Sequence, residues 1–221
     1  MKKLVATFFL LIASSILNAQ DLEQTMVEAM CPCFENNSLF WTTRETPCLD
    51  EVIKANYKLL IKKYELISLT DSANALVSMY TPMVLIDMAV PLIENCDPFY
   101  NSILKEREEY WQKLEADNTE ERRKSLETRL SYKESPDLLL DLGYWHLVNG
   151  NVQKAKAFAS RCIELKQAHT LDKALLLQGA IEEWQKEYQV AANYYQEAFK
   201  EDEIMRYRML SATMRRMAKT K

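Results

Sequence analysis

Apolar residues recur three and four positions apart along most of the chain, which is the spacing that places them on one face of an α-helix. This pattern predicts helices over 21–34, from 48 to about 66, over 103–114 and over about 119–133. The chain contains only three glycines, a low number for a fold that needs many β-turns. The sequence therefore predicts an all-α protein.

The N-terminus has the pattern of a secretory signal peptide. Lys2 and Lys3 precede an apolar run over 4–17, and small Ala19 lies at the expected cleavage point. We predict that residues 1–19 are removed and that the protein is exported, to the periplasm or outside the cell. The alternative is an uncleaved N-terminal anchor.

Four cysteines, Cys31, Cys33, Cys48 and Cys96, lie in the first half of the chain. An even number in an exported segment indicates two disulfides. Cys31 and Cys33 are too close in a helical chain to prefer each other, so each pairs with Cys48 or Cys96, and both pairings stay open. The alternative is a redox pair or a metal site, but the spacing is not Cys-x-x-Cys and no histidine lies nearby.

The most apolar internal segment, 75–93, carries a single charge, Asp87. As a membrane span it would contain Pro82, Pro91 and a carboxylate, all of which are unfavourable in an isolated helix in lipid. It would also place Cys96 across the membrane from the other three cysteines. These features argue against a membrane span, and we predict a buried helix in an N-terminal helical domain over 20–100.

A repeat with an offset of 36 occupies 136–199. Large and small residues recur in register in its two copies, which predicts two stacked pairs of antiparallel helices. The glycines and alanines lie where helices approach closely, and Gly150 lies at a turn that requires a left-handed residue. The predicted packing residues are Leu139, Leu142, Gly143, Gly150, Ala155 and Ala159 in the first copy, and Leu175, Gly179, Ala191 and Ala198 in the second.

This pattern resembles the tetratricopeptide repeat family over about 65 residues. The second copy departs from the family pattern at Gln178 and at the turn, where Lys186 replaces a small residue. The resemblance implies a short α-solenoid and, with it, protein–protein interaction. A generic pair of helical hairpins is the alternative.

Two repeats need cover at both ends, since about three are usual in a stable stack. Connecting helices over 101–135 include the helix that can cover the first end. A C-terminal helix with Tyr207, Leu210 and Met214 on one face can cap the second end, so the repeat domain extends over 136–221. Six basic and no acidic residues follow Glu203. An acidic partner, anionic lipid and nucleic acid are alternatives for this tail; the acidic remainder of an exported chain argues against nucleic acid.

The resemblance also implies a concave binding face formed by the first helix of each pair. Its residues are Asp137, Leu140, Tyr144, Leu147 and Val148, then Lys173, Leu176, Ala180, Glu183 and Trp184. These side chains are mostly apolar, so the face should prefer an apolar helix or an extended peptide. The alternative is that a neighbouring helix of the protein itself fills the face.

Few residues favour catalysis. Three glycines leave no room for a Gly-rich phosphate loop, and there are only two histidines. Cys162 and His146 lie at packing positions of the repeat. We therefore predict a non-enzymatic, exported interaction or scaffolding protein that needs no cofactor and no metal and binds a protein or peptide. The alternatives are a small redox enzyme acting through Cys31 and Cys33, and an accessory protein attached to a membrane.

Overall fold

The computed structural model describes residues 22–35, 47–56, 58, 60, 73–165 and 170–220. Every regular element among these residues is helical and none is a strand, which confirms the all-α prediction for this part of the chain. The predicted signal peptide lies outside the described residues. The chain divides into two compact units between Ser102 and Ile103. Most of the predicted connecting helices thus belong to the second unit.

The first unit is built around two disulfides. A helix over 22–30 (α1) runs into a 3₁₀ turn at Cys31–Phe34, and two further helices are Pro47–Ala55 (α2) and Ala73–Asn95 (α3). Cys31 is bonded to Cys96 and Cys33 to Cys48. The four cysteines thus form two bridges, as predicted, and the structure selects one of the two pairings that the sequence left open.

The core of the first unit surrounds these bridges. Phe34 packs edge-on against Phe99 with ring centroids 4.7 Å apart, and Phe99 belongs to the next helix, Asp97–Ala116 (α4). The large side chains of this unit that are fully buried are Met26, Met30, Leu49, Met88, Leu92, Ile93 and Phe99. α3 continues through Pro82 and Pro91. Within the described residues, no helix combines the length and apolar character needed to cross a membrane.

The second unit contains two helical hairpins that follow one another along the chain. Its helices after α4 are Glu120–Tyr132 (α5), Pro136–Val148 (α6), Val152–Glu164 (α7), Leu171–Trp184 (α8), Tyr188–Glu201 (α9) and Met205–Lys219 (α10). α6 pairs with α7 and α8 with α9, while α7 also contacts α8, so the hairpins are neighbours.

The turns of the two hairpins have the same geometry 36 residues apart. Gly150 donates to the Leu147 carbonyl and Asn151 to the His146 carbonyl, the bond pair of a Schellman motif. Lys186 and Glu187 make the same two bonds to Glu183 and Glu182. The left-handed residue of the motif is Gly150 in the first turn, with φ 73°, and Lys186 in the second, with φ 64°. A lysine thus adopts the conformation that the first copy assigns to glycine.

The two helix glycines lie at close helix approaches, but against different neighbours. A Cβ atom on Gly143 would overlap Leu177 of the next hairpin, and one on Gly179 would overlap the ring of Tyr195 on its own returning helix. We expected each glycine to lie close to the returning helix of its own hairpin. This is seen at Gly179, whereas the helix closest to Gly143 is α8 of the next hairpin. The reason is residue size, since Tyr195 stands 36 residues after the small Ala159.

The helices that precede and follow the hairpin pair along the chain both pack against it. At the first end, Leu126 of α5 packs with Leu138 and Leu142. At the second end, Leu210 and Met214 of α10 pack with Ala191, Ala192 and Tyr195 of α9. α10 is buried on more than this one side, because Met209, Ala212 and Thr213 are buried as well.

Candidate functional site

The residues predicted to form a concave face lie on α6 and α8, and they differ widely in exposure. Leu140, Leu147, Ala180 and Glu183 are buried. Tyr144, Val148, Leu176 and Trp184 are half-buried, whereas Asp137 and Lys173 are exposed. The last two form an ion pair, with Lys173 Nζ 3.8 Å from Asp137 Oδ1.

Side chains of α4 cover the middle of this face. Trp111 packs against the core that Leu140, Leu147 and Ala180 share, and its ring centroid lies 5.3 Å from that of Trp184. The protein's own neighbouring helix therefore occupies the centre of the face, one of the two arrangements that the sequence left open.

A buried ion pair joins α4 to α8. Arg107 Nη2 lies 2.7 Å from Glu183 Oε2, and Arg107 Nε lies 2.8 Å from Oε1. The two side chains are only about a tenth exposed, at 10% and 9%. This bidentate geometry is the strongest form of an arginine–carboxylate contact.

Two aromatic side chains complete the network around the Glu183 carboxylate. Tyr195 donates its hydroxyl proton to Oε2 at 2.5 Å, and Trp111 donates its indole N–H to Oε1 at 3.1 Å. The Arg107 guanidinium also donates to the Tyr195 hydroxyl at 3.0 Å and lies over the rings of Tyr110 and Trp111, 4.9 and 4.6 Å from their centroids.

Burial affects the pKa of two tyrosines in and beside this network. Burial raises the pKa of Tyr195 well above its ordinary value, against the opposing effect of Arg107. Burial also raises the pKa of Tyr144, and the nearby Tyr110 is the second largest cause of the shift. Both tyrosines therefore stay neutral at physiological pH. With both its oxygens accepting several hydrogen bonds, Glu183 serves to hold α4 in place and is poorly placed for acid–base chemistry.

Two clefts flank the covered centre. The first, which we call the tryptophan cleft, has a volume of about 450 Å³ and lies between α4, α8 and α10. Its apolar lining consists of Leu104, Trp111, Trp184, Met214 and Met217. Its lining also includes Glu108, Gln112 and Glu115, which are exposed side chains of α4.

The second, which we call the aromatic pocket, has a volume of about 220 Å³ and lies between the end of α4, the start of α5 and α6. Tyr110, Tyr144 and Trp145 line it, together with Asp117 and Asp141. Only Tyr144 and Val148 of the predicted face reach it. The contribution of α4 to both clefts was missed from the sequence, although Tyr110 and Trp111 stand on its predicted apolar stripe.

The remaining residues that could carry chemistry, the cysteines and His146, are buried or bonded within the fold. Cys162 is a buried free thiol, and burial raises its pKa, so it is a poor nucleophile. His146 is buried and stacks on Phe158 with ring centroids 5.4 Å apart. Cys31 and Cys33 are bonded to other cysteines and not to each other. Across the described ranges, no three His, Cys, Asp or Glu side chains are grouped as a metal site would require.

Comparison with known proteins gives no relative. No protein-family model, no curated protein and no solved structure matches this chain.

Proposed function

We propose that this is an exported, non-enzymatic interaction protein whose second unit is a short stack of tetratricopeptide-like hairpins. The observation that carries the proposal is the recurrence of one hairpin turn, with the same pair of hydrogen bonds, at an offset of 36 residues. Stacks of helix pairs repeated at about this length present continuous surfaces to other proteins.

Export is supported by the N-terminal sequence pattern and by the two disulfides of the first unit. Disulfides persist in the periplasm and outside the cell, and they are rare where thiols are kept reduced. We therefore assign the protein to an envelope or extracellular compartment.

The tryptophan cleft is the surface that we assign to the partner. Its floor is apolar and aromatic, and Trp and Met are side chains that contribute strongly to protein interfaces. Glu108 and Glu115 give its α4 side a negative charge. The partner that fits is a segment with apolar side chains flanked by lysine or arginine, because charge complementarity favours such a segment over an acidic one.

Site-specific photocrosslinking tests this proposal. A photoreactive residue at Gln112, beside the cleft, should give a discrete crosslinked product in cells that make the protein naturally. The same residue at Gln153, an exposed position on α7, is the matched control and should give none.

A substitution makes the test specific for the cleft. Met217→Glu places a charge in the apolar lining, beside a buried cluster, so it should lower the unfolding midpoint. We expect it to remove the Gln112 product at a temperature where the variant keeps the helical circular dichroism of the wild type. Equal crosslinking from Gln112 and Gln153, or a product that survives Met217→Glu, would overturn the assignment.

A further inference from the structure

The aromatic pocket combines π faces with carboxylates. Tyr110, Tyr144 and Trp145 line it together with Asp117 and Asp141. Aromatic rings attract organic cations through their quadrupoles, and a nearby carboxylate adds direct Coulomb attraction. This lining is therefore chemically suited to an ammonium or a guanidinium group.

The pocket also contains a buried acceptor that lacks a donor. Asn118 lines it, and among the residues that the structure describes none donates a hydrogen bond to the buried Asn118 Oδ1. Burying a hydrogen-bond acceptor without a partner costs about 1–3 kcal/mol of desolvation free energy. Because the oxygen is buried, a ligand with N–H donors would satisfy it only after the Asn118 amide turned toward the pocket.

The protein's own arginines already lie beside the pocket. Arg107 and Arg206 lie over the Tyr110 ring, 4.9 and 5.5 Å from its centroid, and Arg123 lies over the Trp145 ring at 5.5 Å. These rings therefore bind guanidinium groups within the protein itself.

The cation at Asp141 is held only loosely. Arg122 Nη2 lies 4.0 Å from Asp141 Oδ1, and the two side chains are 44% and 49% exposed. Such an exposed ion pair contributes little free energy. A cation that also contacts the Tyr144 ring would therefore compete well with Arg122 for Asp141.

We propose that the aromatic pocket receives a lysine or arginine side chain of the protein partner, an inference that rests on the proposed function. Its volume of about 220 Å³ is below the range of pockets for drug-sized ligands and suits a single side chain. The acidic side of the tryptophan cleft favours the same kind of basic partner, and α4 contributes to both sites.

The test uses blocked amino acids as probes and the Trp145 indole resonance of the full chain as readout. Nα-acetyl-lysine methylamide should shift this resonance in a saturable way. The norleucine analogue, which lacks the ammonium, should bind at least about tenfold more weakly. Blocked arginine and free butylammonium complete the series and distinguish a side chain from a small amine.

Two aspartate variants on α6 provide a matched pair. Asp141→Asn should weaken lysine binding at least about threefold because it removes a pocket carboxylate. Asp137→Asn removes the same charge four residues away, outside the pocket, and should leave the affinity within about twofold. Both positions are exposed, so both variants should fold.

Three results would overturn the inference: no saturable shift with lysine, equal binding of norleucine, or equal effects of the two aspartate variants. Free butylammonium that binds about tenfold more tightly than blocked lysine would assign the pocket to a small amine and overturn the side-chain assignment. Crosslinking from Gln112 without lysine binding would leave the proposed function standing and remove only this inference. Lysine binding without that crosslink would remove the proposed function and the partner assignment together, and it would leave only a cation-binding pocket.

Discussion

At the scale of single residues, the two hairpin turns allow the repeat pattern of the sequence to be compared directly with the backbone of the structure. The sequence identifies Gly150 as a left-handed turn residue and marks Lys186 as a departure from the pattern. The structure gives both residues positive φ, at 73° and 64°. The hydrogen bonds of the turn require the left-handed conformation in both hairpins. Lys186 therefore departs from the repeat pattern in residue type, while its backbone follows the pattern.

Lys186→Gly should stabilise the protein. A non-glycine residue in the left-handed region costs about 1–2 kcal/mol, which glycine does not incur, although part of the gain is offset because glycine is more flexible in the unfolded chain. We expect a net gain of about 0.5–1 kcal/mol in the free energy of unfolding, measured by urea denaturation.

Gly150→Ala is the matched substitution in the first turn and should lose about 1 kcal/mol in the same measurement. A loss of stability in Lys186→Gly would contradict the equivalence of the two turns.

His146 should make stability depend on pH. Burial, and then nearby Lys154, lower its pKa below the ordinary value, and among the described residues no hydrogen-bond partner reaches Nδ1. The unfolded chain therefore takes up a proton first as the pH falls through about 6.5, and stability is lost from there down to the lower folded-state pKa.

His146→Phe keeps the stacking on Phe158 and removes the titrating group. We expect it to flatten the stability profile between pH 7.5 and 5 and to raise stability by about 1 kcal/mol by removing the unpaired atom. His146→Gln should flatten the profile without that gain. A pH profile unchanged by either variant would show that His146 is not responsible.

At the scale of the elements, the helices are largely predictable and their partners are not. Apolar spacing predicted single helices because helical periodicity is a local signal, and the offset of 36 predicted the two hairpins. The contact between Arg107 and Glu183 joins residues 76 positions apart, and in the sequence Arg107 is one of many charges on a mixed helix. The disulfide pairing was open for the same reason, since spacing alone does not decide which distant cysteine meets Cys31.

The Arg107–Glu183 pair should show strong coupling. Glu183→Gln leaves a buried guanidinium without its counter-charge, which should cost about 3–5 kcal/mol of unfolding free energy. The double variant Arg107→Met with Glu183→Gln should be more stable than Glu183→Gln alone, because no buried charge remains.

The exposed pair Asp137–Lys173 serves as the control for this cycle and should contribute at most about 1 kcal/mol. Additive effects of the Arg107 and Glu183 substitutions in a double-mutant cycle would contradict the buried network.

The two disulfides should differ in their contribution. Cys31–Cys96 spans 65 residues and Cys33–Cys48 spans 15, so loop entropy assigns about 4 and about 3 kcal/mol to them. Replacing each pair by serine and measuring unfolding by guanidinium should show the larger loss for Cys31 and Cys96. The reverse order would contradict the loop-entropy explanation.

At the scale of the whole molecule, the sequence indicates a repeat, an export pattern and few catalytic groups, and these together favour an interaction protein. The sequence predicted a concave face on α6 and α8. It could not predict that α4 contacts this face, because the contact is made by long side chains of helices that are far apart in the sequence. The surface assigned to a partner accordingly moves from the centre of that face, at Leu140 and Leu147, to the clefts beside α4.

The most direct test is a crosslinking scan over exposed positions of the second unit. Photoreactive residues beside the clefts, at Glu108, Gln112, Glu115 and Asp141, should all attach to one protein. Positions on the opposite helices, at Gln153, Ser160 and Asn193, should attach to none. A partner captured only from the latter set, or equally from both, would contradict an interaction surface beside α4.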